Sequence, residues 1–406
     1  MSGESPFSMM QQPRERLRKP SAARRRRPQR RRWPVAATAV IVVVALGLIW
    51  SWLWYYTASI ADRTLAGWVE RETAAGRLYS CASQTLGGFP FRIEVRCADA
   101  VAEVNSERPP FTVRTKDVLV STQVWHPTLM VSDITGPLSF ADSDQPPSLT
   151  ANWSRAQVSV LGPPPDPQSV AFKLDGVHVD RGGAGGGDTA LLFKADHADI
   201  EGRVVDGSAR NNPVVEAVLH VVAAVAPTLH RAVAQPTNAD VDVVLRGFKD
   251  LSTKPWGVHF REMQAAGGSL EIKYLRMAQG DAVILGTGTL TVNAQGKLDG
   301  LIRVAVIGVE QIVPLLGIDE LIGRGVDRLA GAAGAPSQGL GALDRLVPGL
   351  SAAVRTSANA SVIENIKKMG QPTEIDKKPA ILLPLRVADS AIFLGMVPLG
   401  TLPPLF

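Results

Sequence analysis

The sequence predicts a mainly β (α+β) protein, in which one N-terminal transmembrane helix is followed by an elongated antiparallel sheet of meandering hairpins packed on a few apolar helices. Three observations support this prediction. Residues 35–56 carry no charge, apolar and polar residues alternate along much of the later chain, and Asp/Gly turn signals separate many alternating segments. We divide the 406 residues into a basic cytoplasmic arm without fixed structure (1–34), a span (35–56) and a periplasmic β-rich body (57–406).

The run at residues 35–56 is long enough to cross a membrane. Its 22 residues would form a helix about 33 Å long, and roughly 20 residues cross the hydrocarbon layer. Tryptophan and tyrosine crowd its far end, as in an aromatic belt at a membrane surface. A cleaved signal peptide is the alternative, because Ser59 and Ala61 give a small-x-small site, but its apolar stretch would be shorter, about 7–15 residues. We predict an uncleaved anchor and no second span.

The positive charge of the chain is confined to the arm. The net charge is +5, whereas residues 1–34 carry 11 Lys/Arg against 2 Asp/Glu, so the arm is +9 and the remainder is −4. Arginines beside a first span stay in the cytoplasm, which places the body across the inner membrane, in the periplasm. Attraction of the arm to anionic lipid headgroups and binding to nucleic acid are the alternatives. Because the body has no basic face, we predict no nucleic-acid partner.

Two cysteines, Cys81 and Cys97, lie just beyond the span. An even and closely spaced pair in an oxidising compartment predicts one disulfide, with two free buried thiols as the alternative. Zinc is disfavoured because two thiols with no nearby histidine cannot complete a set of four ligands.

Alternating apolar and polar residues predict half-buried strands throughout the body. The strands are expected to pair locally, because short polar turns join many of them. We predict hairpins at residues 170–180, 190–205, 271–288, 290–306 and 381–397, with turns at Asp175-Gly176, Gly280-Asp281, Asp299-Gly300 and Asp389-Ser390.

Three segments of the body have the pattern of helices. Residues 58–76 continue from the span and end at Gly76, residues 213–233 are rich in Ala and Val on every side, and residues 309–369 are apolar with Pro and Gly breaks. We expect the second and third of these helices to cover the apolar face of the sheet.

The apolar residues of the strands supply the candidate site. If each strand turns its apolar set to one side, the sheet has a continuous apolar face that must be covered by helices or by a ligand. An uncovered strip would be a groove for lipid or another apolar molecule. The candidate groove residues are Phe172, Leu174, Val241, Val243, Leu245, Leu270 and Ile272, and Tyr274 continues the last of these sets.

No catalytic or cofactor motif accompanies this pattern. Residues 182–187 are glycine-rich but lack the Lys-Ser/Thr of a phosphate loop, Asp240-Val-Asp242 fits an alternating strand, and six scattered histidines form no metal-ligand pair. We predict a protein that is not an enzyme and has no cofactor or metal. Catalytic triads assembled from distant residues escape such a search.

Three stretches of sequence together carry a family resemblance. They are Trp68…Glu72…Gly76-Arg77…Cys81, then Gly87-Gly-Phe-Pro-Phe-Arg92…Cys97, and the ending Leu385…Asp389-Ser390…Leu394-Gly395…Pro398-Leu399-Gly400…Leu402-Pro403. They resemble the uncharacterised alphaproteobacterial family named domain of unknown function 2125, in which Gly usually stands in place of Ser390. The resemblance implies no catalytic residues. More loosely, the hairpins behind one anchor look like AsmA-like envelope proteins, whose curved sheet holds lipid.

These observations lead to a hypothesis about function. We expect an inner-membrane-anchored periplasmic protein that binds or shields lipid or another apolar envelope molecule. The alternative is a non-catalytic scaffold for envelope assembly that binds partner proteins along the sheet edges. Lipid and envelope proteins are therefore the partners to test, besides the membrane itself.

Overall fold

The computed structural model describes residues 33–106, 109–142, 147–163, 166–182, 189–229, 231–252, 254–315, 363–364, 366–395, 397–402 and 405. The basic arm up to residue 32, most of the glycine-rich segment and most of the predicted helix at 309–369 lie outside these residues. The chain divides into two compact units, Met1–Leu53 and Trp54–Phe406. Helix α1 begins in the first unit and ends in the second, which contains the whole sheet.

Helix α1, Trp33–Ala74, joins the charge-free run and the predicted helix at 58–76 into one element of 42 residues. Its Val35–Ala74 part is long and apolar enough to cross a membrane. The helix ends where Gly76 adopts a φ of 78°, a conformation that favours glycine. Within the described residues, helix α2 is Trp256–Ala265 and α3 is Val309–Leu315, a 3-10 turn covers Arg231–Val233, and residues 366–369 are also helical.

Eighteen strands belong to one hydrogen-bonded sheet, and all the strand pairings of the described residues are antiparallel. The strands are β1 Arg77–Ser80, β2 Ser83–Gly87, β3 Arg92–Val104, β4 Phe111–Gln123, β5 His126–Asp142, β6 Leu149–Asn152, β7 Arg155–Leu161, β8 Ser169–Arg181, β9 Ala190–Ser208, β10 Asn211–Ala224, β11 Thr237–Arg246, β12 Ser269–Gln279, β13 Ala282–Val292, β14 Leu298–Ile307, β15 Gln371–Ile375, β16 Lys378–Ala388, β17 Ala391–Leu394 and β18 Val397–Thr401.

The sheet follows the chain as a meander. From β3 to β14 each strand pairs with the next, except that β6 and β7 share the place between β5 and β8. Strands β1 and β2 both pair with β3 at one end. At the other end β14 pairs with β16, which also pairs with β15 and β17, and β18 follows β17. Short connections between antiparallel neighbours produce this order.

The helix predicted at residues 213–233 is wrong. Residues 211–224 form strand β10, which pairs with β9 on one side and β11 on the other. Valine is β-branched and favours strands, and five of the residues from 213 to 222 are valine. Because this segment is part of the sheet, it does not cover the sheet as a helix.

Two of the predicted turns lie inside long strands. Residues 170–180 belong to the single strand β8, and residues 190–205 to the single strand β9, so the hairpins predicted there are wrong. Gly176 has a φ of 59° within β8, where it marks a local irregularity rather than a reversal. The turn predicted at Asp299-Gly300 is also wrong, because both residues lie within strand β14. The turns at Gly280-Asp281 and Asp389-Ser390 are confirmed, because Gln279 pairs with Ala282 and Ala388 with Ala391.

The predicted disulfide between Cys81 and Cys97 is present, with the two Cα atoms 5.3 Å apart. It links the connection between β1 and β2 to β3. The turn that follows β2 requires glycine at residue 88, where φ is 95° and a Cβ atom would lie 2.7 Å from the Arg92 carbonyl oxygen. The cysteine-flanked Gly-Phe-Pro-Phe-Arg segment is thus a crosslinked hairpin.

Candidate functional site

Cross-strand pairing places the candidate groove residues on one face of the sheet. Val241 on β11 lies level with Leu219 on β10, Leu219 with Ile200 on β9, and Ile200 with Phe172 on β8. Directly opposed residues of antiparallel strands point to the same side, and so do residues two apart along one strand. Leu174 therefore shares the side of Phe172.

The remaining candidates continue this side onto the next strand. Val243 and Leu245 alternate with Val241 along β11 and lie level with Ile272 and Leu270 on β12. All seven candidate residues therefore share one face, as the alternating pattern predicts.

This face carries two nearly uninterrupted apolar rows, which we call the apolar face. The first row crosses thirteen strands and has one polar residue: Leu86, Val95, Val120, Ser132, Val158, Phe172, Ile200, Leu219, Val241, Leu275, Gly286, Val304 and Leu383. At about 4.8 Å per strand, it extends about 58 Å along the sheet. The second row is Ile93, Thr122, Met130, Val160, Val170, Gly202, Ala217, Val243, Ile272, Gly288, Ile302, Leu385 and Leu394.

Burial changes along the apolar face. The seven candidate residues are half-buried, and two of their neighbours are more exposed, Ile200 at 46% and Val170 at 42%. At the far end of the first row, Val304 and Leu383 are each only 7% exposed. In the middle of the face, Leu174 and Leu219 pack against the buried Ala198 and Val221, whereas Ile200 and Val170 remain open to solvent. The C-terminal end is closed.

Helical residues close the C-terminal end of the apolar face. Val309 and Ile312 of α3 pack with Ile366 against Leu383 and Leu394 of the sheet. This part of the predicted 309–369 helix therefore covers the sheet, as the sequence suggests. Residues 316–362 lie outside the described part of the chain.

The opposite face of the middle strands is charged and polar. One row on it reads Asp133, Gln157, Lys173, Asp199, His220, Asp240 and Arg276. Neighbours in the row pair: Gln157 Nε2 lies 2.9 Å from Asp133 Oδ1, Lys173 Nζ 3.2 Å from Asp199 Oδ2, and His220 Nδ1 2.5 Å from Asp240 Oδ1. These groups satisfy one another and remain accessible to water, so this face needs no cover.

One prediction about the apolar set is wrong. Tyr274 lies level with Asp242, on the charged face, because the register shifts at β12 between Ile272 and Leu275. The shift is a bulge, which leaves two successive residues on the charged face. Lys273, next to Ile272, lies there by ordinary alternation, and its ammonium lies 2.6 Å from Glu216 Oε1. Hydrogen bonds from Lys273 and Arg203 hold the pKa of Glu216 below its ordinary value.

The histidines that look scattered in sequence are paired by the fold. His197 Nδ1 lies 2.6 Å from Asp175 Oδ1, and the rings of His197 and His220 are 6.1 Å apart. The partners are about twenty residues apart in sequence, so only strand pairing could reveal them. Within the described residues no group of three or more His, Cys, Asp or Glu side chains is arranged to hold a metal ion. His230 lies outside those residues.

One family model matches most of the chain. The family is described as an uncharacterised protein conserved in bacteria (DUF2125), and the match covers residues 54–403. It therefore includes the whole sheet and the second half of α1. No curated protein and no solved structure matches the chain.

Proposed function

The chain belongs to the DUF2125 family, and we propose that it is an inner-membrane-anchored periplasmic protein that binds a lipid or another apolar envelope molecule along its apolar face. The main support for this proposal is the first apolar row. Its middle residues are half-buried, whereas its C-terminal end is covered by helical residues. Covering a Val, Leu, Ile or Phe side chain fully is worth roughly 1.5–3 kcal/mol. A ligand with acyl chains would gain part of that stabilisation at each strand that it crosses.

Strand β10 enlarges the apolar face beyond the part that the sequence predicts. The sequence offered residues 213–233 as one of two helical covers, whereas residues 213–224 belong to strand β10 and add Leu219 and Ala217 to the apolar face. The area that needs a cover is therefore larger than the sequence suggested. Contiguous apolar surface on this scale is typical of a binding surface.

The inner membrane is the proposed source of the ligand and the site of the anchor. Helix α1 is long and apolar enough to span a bilayer. The +9 arm before it favours a cytoplasmic N-terminus and a periplasmic body. The apolar rows begin on β2 and β3, and the turn between these strands contacts the second half of α1 through Phe89 and Trp54. A membrane lipid would thus meet the apolar face next to its own bilayer.

Photocrosslinking from two matched positions tests the proposal. Ile200 on the apolar face and Val218 on the charged face are both aliphatic, lie on neighbouring strands, and are 46% and 41% exposed. A diazirine amino acid at each position is activated in intact cells, and the full chain is then purified for intact-mass analysis. We expect lipid adducts at residue 200 and none at 218. Equal adduct formation at the two positions, or none at 200, refutes lipid binding by the apolar face.

The second candidate function is a non-catalytic scaffold that binds partner proteins along the sheet edges. Strands β1 and β2 form an edge of the sheet, are largely exposed, and pair only with β3 among the described strands. Such an edge offers unpaired backbone groups to a partner strand. A defined protein, rather than a lipid, crosslinked at residue 200 or on β2 would favour this function.

A further inference from the structure

Two turns of the sheet carry exposed aromatic side chains at the end near α1. The turn between β2 and β3 contains Phe89 and Phe91, and Trp125 lies between β4 and β5. Their exposed fractions are 53%, 57% and 53%. The two turns meet because Arg92 pairs with Gln123, and the rings of Phe91 and Trp125 lie 6.1 Å apart. The three side chains form one surface, which we call the aromatic patch.

Contacts with α1 fix the level of the aromatic patch along that helix. The Trp54 indole donates a hydrogen bond to the Arg92 carbonyl oxygen at 2.6 Å, and its ring packs edge-on against Phe89 at 5.5 Å. Tyr55 stacks on the same Phe89 ring at 6.4 Å. Trp54 is only 5% exposed, so the turn is held firmly against the helix.

Trp54 lies where the apolar part of α1 should leave the hydrocarbon. It is nineteen residues after Val35, about 29 Å along a helix, and a bilayer's hydrocarbon core is about 30 Å thick. The first charged residue after the run is Asp62, two turns further on. A group that contacts Trp54 therefore lies at the boundary between acyl chains and headgroups, where tryptophan is enriched.

We propose that the aromatic patch of Phe89, Phe91 and Trp125 is a membrane-contacting surface that inserts into the bilayer interface beside α1. A lipid surface fits because the patch is contiguous with a helix that is apolar enough to span, and because exposed aromatic rings gain from partial insertion. Arg92, next to Phe91, has a side chain 63% exposed and 3.8 Å from Glu94, and its guanidinium suits lipid phosphates.

This contact gives the body a second attachment to the membrane besides the span. It would hold strands β2 to β5 at the bilayer surface and place Leu86 and Val95, at the start of the apolar face, next to the acyl chains. The inference requires α1 to be a membrane span, and it stands whether or not the apolar face holds a lipid.

Spin labelling of the full chain in lipid nanodiscs tests the proposal. The two native cysteines are joined in the disulfide, so one added cysteine can be labelled selectively. Labels replace Trp125 or Phe91, through W125C and F91C, and the matched control is W256C on α2, where the exposed Trp256 is 70% accessible. We expect the labels at 91 and 125 to be more accessible to oxygen than to a water-soluble nickel chelate, and the label at 256 to show the reverse.

A label at 125 that is as accessible to nickel as the label at 256 overturns the proposal. Retention of the Cys81–Cys97 disulfide and of the far-ultraviolet spectrum shows that each variant is folded. If W125C does not fold, the variants W125F and W256F are used instead, and quenching of their tryptophan fluorescence by brominated lipid is measured. Loss of quenchable fluorescence in W125F alone supports insertion, and equal changes in the two variants reject it. Lipid crosslinking at residue 200 is a separate measurement. Membrane insertion of the aromatic patch and lipid binding by the apolar face can therefore be refuted independently.

Discussion

The Lys273 ammonium lies 2.6 Å from Glu216 Oε1, so a side chain on β12 reaches across β11 to β10. Lys273 follows Ile272 of the apolar face, so ordinary alternation directs it to the charged face, and the bulge places Tyr274 on the same side. Val244, the β11 residue level with Glu216, is only 2% exposed. The ion pair therefore lies above a buried apolar side chain of β11 and links β12 to β10 across that strand.

Acid should weaken this ion pair in a defined direction. Hydrogen bonds from Lys273 and Arg203 lower the pKa of Glu216 in the folded protein. A carboxyl group whose pKa is lowered by folding stabilises the folded protein. This stabilisation is complete above the pKa of the group in the unfolded chain, about 4.3, and is lost as the pH falls through its pKa in the folded protein. We expect E216Q to lower the urea midpoint at pH 7, and the difference from the parent protein to shrink towards pH 3.

The control for this experiment is E201Q. Glu201 lies on the same charged face, is exposed, and shows no hydrogen bond to either cation among the described contacts. We expect the urea midpoint of E201Q to be closer than that of E216Q to the midpoint of the parent protein, both at pH 7 and at pH 3. An E216Q protein as stable as the parent at pH 7 would contradict the structural role of the pair.

Removing the disulfide should destabilise the hairpin of β2 and β3. The bond joins residues 16 apart in sequence, and closing a loop of that size is worth about 3 kcal/mol by chain entropy. We expect the double variant C81S/C97S to unfold at lower temperature, measured by circular dichroism in detergent.

A non-reducing digest of the parent protein should yield the linked peptide pair. Alkylation of both thiols without prior reduction would show that the bond does not form.

Two glycines inside strands, Gly300 on β14 and Gly202 on β9, should respond differently to alanine. A Cβ atom at Gly300 would lie 2.1 Å from the Thr289 carbonyl oxygen, whereas one at Gly202 would meet nothing within 4 Å. We expect G300A to destabilise the body by about 2 kcal/mol, because β13 and β14 must separate, and G202A to change stability by about 0.5 kcal/mol or less. Equal effects in denaturant unfolding would argue against the close approach of β13 and β14.

Polar substitutions in the middle and at the C-terminal end of the first apolar row should separate the open part of the face from the closed part. Ile200 is 46% exposed, whereas Leu383 is 7% exposed and packs in the cluster with Val306 and Ile366. We expect I200D to fold with a change of about 1 kcal/mol or less. We expect L383D to unfold the body, since an unpaired buried carboxylate costs several kcal/mol. Unfolding by I200D would indicate a filled core at that position.

Reporter fusions check the orientation that the +9 arm implies. A reporter active only in the periplasm should be active when fused after Phe406 and inactive when fused at Arg32. The physical reason is the cost of moving a cluster of arginines across the bilayer during insertion. The reverse pattern of activity would place the body in the cytoplasm and contradict the periplasmic location in the proposed function.

Local features of the sequence were sufficient to predict much of this protein. The charge-free run predicted the apolar part of α1, the two cysteines predicted their bond, and alternation predicted that Phe172 and Val241 share one face. Tight turns such as Gly280-Asp281 were predicted too. Each of these signals depends on residues close together in the chain, because side-chain direction in a strand has a period of two.

The tertiary structure decided the features that depend on distant partners. Residues 213–233 fit both a helix and a strand, and pairing of Leu219 with Val241 and Ile200 settles the strand. The bulge that moves Tyr274 to the charged face follows from register with β11 and β13, which no local pattern fixes. Local conformational preferences differ by about 1 kcal/mol per residue or less. The hydrogen bonds and contacts of two neighbouring strands therefore outweigh them, and these form only when the sheet is assembled.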